Sequence, residues 1–166
     1  FLENEYPDGI SRLKLYDDKL LPLAKLYNVE SSIKSALSKR VWLKSGGYLV
    51  IEPTEALTVI DVNTGKFSGN KKLREDTFLK INLEAAEEIG RQMRLRNLSG
   101  IIIIDFINMT EPGNRQSLWN HFEGIVRKDT VPVKLVDMTR LDLMELTRKK
   151  IRKPIYEMCA GLFSEL

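Results

Sequence analysis

The chain has 166 residues, 43% hydrophobic and 30% charged, and its 26 Lys and Arg against 23 Asp and Glu give a formal net charge of +3. That balance excludes a disordered polyelectrolyte, and no stretch approaches the ~20 apolar residues of a membrane span. The lone cysteine, Cys159, excludes an internal disulfide and fits a cytoplasmic setting.

The opening "FLENEYPDGI" has no initiator Met and no basic–apolar–small signal pattern, so an excised fragment with more chain upstream is expected. "RLKLYD" (12–17) predicts a short strand. A helix follows in "LPLAKLYNVESSIKSALSK", where Ile33 and Leu37 keep helical spacing and Asn28 stands as a cap. "VWLK" (41–44) predicts a strand and "SGG" (45–47) a turn. "YLVIEP" (48–53) and "ALTVIDVN" (56–63) predict two strands joined by a tight polar connection, with Pro53 ending the first. "NTGKFSGNKKLRED" (63–76) is a polar, Gly-containing loop. From Thr77 to Asn97 an apolar stripe of Leu79, Leu83, Ala86, Ile89, Gly90 and Met93 predicts a helix, with Glu87 and Arg91 paired outside it. Gly100 opens "IIIIDFIN", a run apolar on both faces and so expected to be a central strand with helices on each side. Pro112 begins a helix over 112–129, and 131–138 predicts a strand. "RLDLMELTRKKIRKPIYEM" (140–158) predicts a final basic amphipathic helix, interrupted before Pro154. This alternation gives an α/β class, a mixed sheet with helices on its faces.

Two of the predicted strands carry a carboxylate, Asp61 in "ALTVIDVN" and Asp105 in "IIIIDFIN". A buried charge costs several kcal/mol unless it is paired, hydrogen-bonded or metal-bound. Residues i and i+2 share a strand face, so Asp61 lies with Val59 and Asn63, and Asp105 with Ile103 and Ile107. Both acids are near the C-terminal ends of their strands, the edge where open α/β sheets bind ligands. Two carboxylates at one crevice would repel unless a cation lay between them, and two suffice for Mg²⁺, with Mn²⁺ as the alternative. Asn63 is placed to orient Asp61. Either aspartate alone is better explained as a helix cap or turn former; the pair, with Asn63 beside it, favours a metal site.

Other chemistries have less support. His121 is the one histidine, so a metal-free mechanism needing two histidines is excluded within the chain. Cys159 has no histidine near it in sequence, and "NTGK" is too short for a phosphate loop. "TRKKIRK" (147–153) and "GRQMRLRN" (90–97) are basic runs, ordinarily a solvated helix face and less often a phosphate-binding surface.

"SGGYLVIEPTEALTVIDVNTGK", "NLEAAEEIGRQMRLRNLSGIIIIDFINMT" and "TRLDLMELTRKK" resemble the catalytic region of the bacterial and plastid ribonuclease E/G family, densely from Lys44 to Arg152. The resemblance implies a DNase I-like catalytic subdomain over 41–150. The end of an RNase H-like subdomain would fill 1–40, and a basic tail or linker 151–166. It implies that Asp61 and Asp105 are catalytic and hold one Mg²⁺, with Asn63 as the asparagine of the first string. The implied reaction is endonucleolytic hydrolysis of single-stranded RNA to 5′-phosphate and 3′-hydroxyl ends, in RNA processing and decay, in a bacterial cytoplasm or a plastid. Lys66, Lys71, Lys72, Arg140, Arg148 and Lys149 are then the candidates for holding RNA, the "TRKKIRK" run being expected on the surface and not paired with internal acids. Phe67 could stack a base.

The family's upstream S1 domain and 5′-monophosphate sensor are expected as partners outside this chain, and the chain alone is expected to cleave weakly or not at all. Cys159 is followed by "AGLFSEL" instead of the family's zinc-linking Cys-Pro-x-Cys, so no zinc link is expected here and the homo-oligomer built on it is in doubt. Asn108 stands where the family string carries a second acid, and weaker metal affinity is expected from it. The rival readings are an RNA- or protein-binding α/β module without activity of its own, and a DNA nuclease.

Overall fold

The computed structural model describes residue 3 and residues 7–65 and 71–159, with the backbone alone at 71–74. The chain divides into two compact units, Phe1–Ser35 and Ala36–Leu166.

The first unit holds a 3₁₀ turn, Pro7–Arg12, a short helix α1, Leu23–Leu26, and most of helix α2, Val29–Leu37. Asn28 separates the two helices with φ 49°, and its carbonyl accepts from Ser32 N–H and the Ser31 hydroxyl. The strand expected at 12–17 does not form. Among the described residues no second strand takes up its alternate apolar side chains, and Leu15 remains 93% exposed. None of the described residues in this unit is buried.

The second unit is built on a six-stranded sheet of β1 (Arg40–Trp42), β2 (Tyr48–Pro53), β3 (Leu57–Asn63), β4 (Gly100–Asp105), β5 (Val133–Met138) and β6 (Leu143–Arg148). Their order is β1-β2-β3-β4-β6-β5. Neighbours are antiparallel except β3 and β4, which are parallel. The sheet is therefore mixed, and the α/β class holds. Parallel strands need a crossover, and helix α3, Lys71–Arg96, supplies it. It begins six residues before the expected Thr77, inside what reads as polar loop. Helix α4, Pro112–Val126, follows β4, and a short α5, Ile155–Cys159, ends the described chain.

Strand alternation decides the layers. Leu49, Ile51, Ile60, Val62, Ile102, Ile104, Met144 and Leu146 point to one face and join Ile81, Ala85, Ala86, Ile89 and Met93 of α3 and Leu118 and Phe122 of α4 in one core. Both long helices lie on this face. The opposite face of β4, expected under helices as well, is only half-buried at Ile103, and Ile101 is exposed.

The expected helix over 140–158 is instead a strand, a basic connection and α5. In "LMELTR", Met144, Leu146 and Arg148 are buried while Leu143, Glu145 and Thr147 face the other way, a period of two. The turn that makes β5 and β6 a hairpin closes with Asp142 N–H donating to Thr139 O, Asp142 taking φ 61°.

Candidate active site

The parallel pairing of β3 and β4 sets Asp61 directly opposite Asp105. Both lie on the open face, half-buried, while Ile60 and Ile104 beside them are fully buried on the other. Adjacent strands are about 4.8 Å apart, so the carboxylates share one patch at the strands' C-terminal ends. Asn63, two residues on, donates from Nδ2 to Asp61 Oδ2 at 2.8 Å. The geometry thus brings together the three residues singled out from sequence.

Burial first, and then the neighbouring Asp61 charge, raise the pKa of Asp105 above the ordinary aspartate value. No ion pair among the described residues involves either acid. Two half-buried carboxylates in register, with no basic partner among the described residues, are a donor set that fits one divalent cation of the Mg²⁺ type, which takes one or two carboxylates and keeps its remaining ligands as water. Among the described residues no group of three or more His, Cys, Asp or Glu is placed to hold a metal.

Three of the connections at this end of the sheet, the β1–β2 turn, the loop after β4 and the β5–β6 turn, are anchored by side chains. Glu84 of α3 accepts from the backbone N–H of Lys44 and Ser45, holding the β1–β2 turn. A Cβ at Gly47 would lie 2.7 Å from Asn63 O, so only glycine lets this turn pack against the end of β3. Asn82 of α3, fully buried, donates from Nδ2 to Ile107 O at 2.8 Å and accepts from Ile107 N–H at 3.0 Å, which fixes the backbone two residues after Asp105. Arg115 donates to Met109 O and pairs with Asp142 at 3.0 Å, tying the loop after β4 to the β5–β6 turn. Glu75 accepts from Glu111 N–H and the Thr110 hydroxyl at the start of α4. The first of these bonds is the main cause that lowers its pKa, burial opposing.

The basic candidates separate. Arg140 is exposed in the turn beside Leu143, which pairs with Asp105, and so stands at the carboxylate end. Lys149 is exposed but follows Arg148, which pairs with Gly100 at the opposite end of β4. Arg148 itself is not on the surface. Its side chain is 3% exposed, pairs with the buried Asp129 at 3.0 Å, and donates to Asn97 Oδ1 and Leu98 O. Strand parity turns it toward the helices, so the expectation that it contacts RNA is corrected. Lys66 and Phe67 lie outside the described residues, as do the side chains of Lys71 and Lys72. Asn108 is exposed in the loop after β4. His121 is on α4 with Nε2 3.1 Å from Glu87 Oε1 of α3, in a contact between helices.

Sequence reading missed what else shares the open face. Glu145 pairs in register with Ile103, next to the acids, and Arg40, Trp42 and Tyr48 line the far strands. For Glu145 the period-two pattern of "LMELTR" carried that signal.

The family model described as the ribonuclease E/G family matches residues 1–151. The chain belongs to the ribonuclease E/G family. It is 43% identical over 155 residues to Ribonuclease G of Escherichia coli, a match covering 93% of this chain and 31% of that protein. Ribonuclease E of Nostoc sp. is 45% identical over 148 residues, covering 85% of this chain and 21% of that one. A chloroplastic ribonuclease E/G-like protein of Arabidopsis thaliana is 42% identical over 156 residues, covering 93% and 16%. The chain thus spans less than a third of the length of these relatives. None of its described helices is long and apolar enough to cross a membrane.

Proposed function

We propose that this chain carries the catalytic carboxylates of a Mg²⁺-dependent endoribonuclease, which hydrolyses single-stranded RNA to 5′-phosphate and 3′-hydroxyl ends within a DNase I-like subdomain over 41–150. The observation that carries the reading is the registered pair of Asp61 and Asp105 on an open sheet face, in a family whose relatives are named ribonucleases. A bound divalent cation supplies neutralisation of phosphate charge and a more acidic water. The chain's own contribution is to fix that cation's ligands. Asn63 holds one Asp61 oxygen, and Asn82 sets the backbone that follows Asp105. Arg140 stands where it can hold the strand through phosphate. Cleavage by the chain alone is expected to be weak, because positioning contributes heavily to rate and a misplacement of ~1 Å costs about a hundredfold. The S1 and 5′-sensor parts expected upstream would supply that positioning, in a bacterial cytoplasm or a plastid.

The test has two readouts. Mn²⁺ paramagnetic resonance reports ion binding, and end-labelled RNA with and without EDTA reports cleavage. Asp61→Asn and Asp105→Asn are each expected to lose the bound Mn²⁺ and the metal-dependent cleavage while keeping the fold. Wild-type ion binding by either variant would defeat the site assignment. Ion binding without any cleavage would favour a binding module.

A further inference from the structure

The row beside the carboxylates on the open face is aromatic. Trp42 of β1 pairs in register with Tyr48 of β2, and Tyr48 pairs with Asn63 of β3. The two rings lie 5.2 Å apart, tilted by 59°. The Arg40 guanidinium stands 4.5 Å from the centre of the Tyr48 ring and 5.8 Å from that of Trp42. Arg40 itself belongs to the cross-strand row that runs through Val50, Asp61 and Asp105. From strand spacing and rise, the rings are about 8–16 Å from the acids.

The arrangement contributes little to the core. Trp42 is on the edge strand and is 64% exposed, so most of the large surface that makes tryptophan useful in packing stays in water. Cation–π contacts hold the guanidinium against the rings. The result is a set of π faces and one cation, close to a site that proposes to hold a phosphate. Bases of single strands stack on aromatic rings and on Arg planes without sequence preference.

We infer that Arg40, Trp42 and Tyr48 form a stacking subsite for a nucleobase of single-stranded RNA, next to the nucleotide whose phosphate lies at Asp61 and Asp105. The inference rests on the proposed hydrolytic reading for the direction of the strand, but its binding measurement does not require cleavage. Arg40 adds attraction for the backbone, and the subsite gives the open face a contact that tells a single strand from a duplex, whose bases are already stacked.

The full chain in EDTA, titrated against a labelled single-stranded oligoribonucleotide, tests this. Trp42→Ala is expected to weaken binding roughly 5- to 100-fold, and Trp42→Phe by much less. In a Trp119→Phe background Trp42 is the sole tryptophan, and its fluorescence is expected to quench with RNA. Oligonucleotides abasic at successive positions supply an arm that needs no variant: one position should weaken wild-type binding and have no further effect on Trp42→Ala. Unchanged affinity in Trp42→Ala, no sensitive abasic position, or no RNA binding at all would each overturn the subsite. A loss of self-association in Trp42→Ala with RNA affinity intact would assign the surface to a protein contact, also against it. Stacking signals that persist in Asp61→Asn while cleavage is absent from every form would retain the subsite and remove the hydrolytic reading, so the two failures are distinguishable.

Discussion

The two faces of the sheet use the same alternating strands for opposite ends. Toward the helices, β2, β3, β4 and β6 present aliphatic side chains that are all but fully buried, and the one charge there, Arg148, is neutralised by Asp129. On the other face, one residue along each strand, Asp61 and Asp105 stand together with no cationic partner among the described residues. A carboxylate paired within the fold supports stability, whereas two left facing each other are a cost the fold carries for some other purpose.

The sharpest way to break this contrast is to remove one charge from each face. Asp61→Asn is expected to abolish cleavage without loss of stability, read by end-labelled RNA and by urea unfolding. Arg148→Ala is expected to cost about 3–5 kcal/mol in the same unfolding experiment, because Asp129 would be left buried and unpaired. Equal stability losses from both substitutions would show that the faces are not specialised. Asn63→Ala comes next. It removes the bond to Asp61 Oδ2 and is expected to lower metal affinity or activity about 10- to 100-fold; unaltered Mn²⁺ binding would contradict it.

The faces should also answer pH with opposite signs. The folded pKa of Asp105 is raised, so without metal the unfolded chain gives up its proton first and stability falls as pH rises through that window. Asp105→Asn should remove that slope and be more stable than wild type near neutral pH. Burial pushes Asp129 up, but hydrogen bonds from Arg148 and Val131 and the guanidinium charge outweigh it and leave its pKa lowered. Its contribution is therefore present above the unfolded pKa and lost as pH falls through the folded value. Unfolding from pH 3 to 7 in EDTA, compared between Asp105→Asn and Asp129→Asn, reads both slopes. The smallest effect belongs to the far end of the sheet. Replacing the exposed Lys149 and Lys150 with Ala is expected to flatten the dependence of log affinity for RNA on log salt by at most ~1.4. No change would leave that segment as a solvated connection.

How far the sequence could be read follows from the same contrast. Asp61, Asn63 and Asp105 were legible because a polar residue inside an apolar strand is conspicuous, and the strands around them have clear boundaries at Pro53 and at the "SGG" turn. Strand β6 was not. Its buried end is an arginine, and with Lys149, Lys150, Arg152 and Lys153 following, the period of two is masked by what looks like a basic helix. The start of α3 was hidden by the polarity of "KKLRED", whose Glu75 is employed in holding the first residues of α4. The aromatic patch escaped notice because Arg40 and Trp42 belong to a strand of three residues, too short for periodicity to show.

The lone parallel pairing described above, β3 with β4, also bears on how the chain reaches its fold. No hairpin can join these strands, so their alignment waits until the long crossover through α3 has closed, a step with a larger entropic cost than any of the adjacent hairpins. A slip of β4 by one residue during that wait would turn Asp105 into the aliphatic layer and Ile104 into water, at a cost of several kcal/mol for the unpaired carboxylate. The charge of Asp105 therefore disfavours that slipped register, and a chain neutralised there is expected to be steadier once folded in the absence of metal but to discriminate less against the slip.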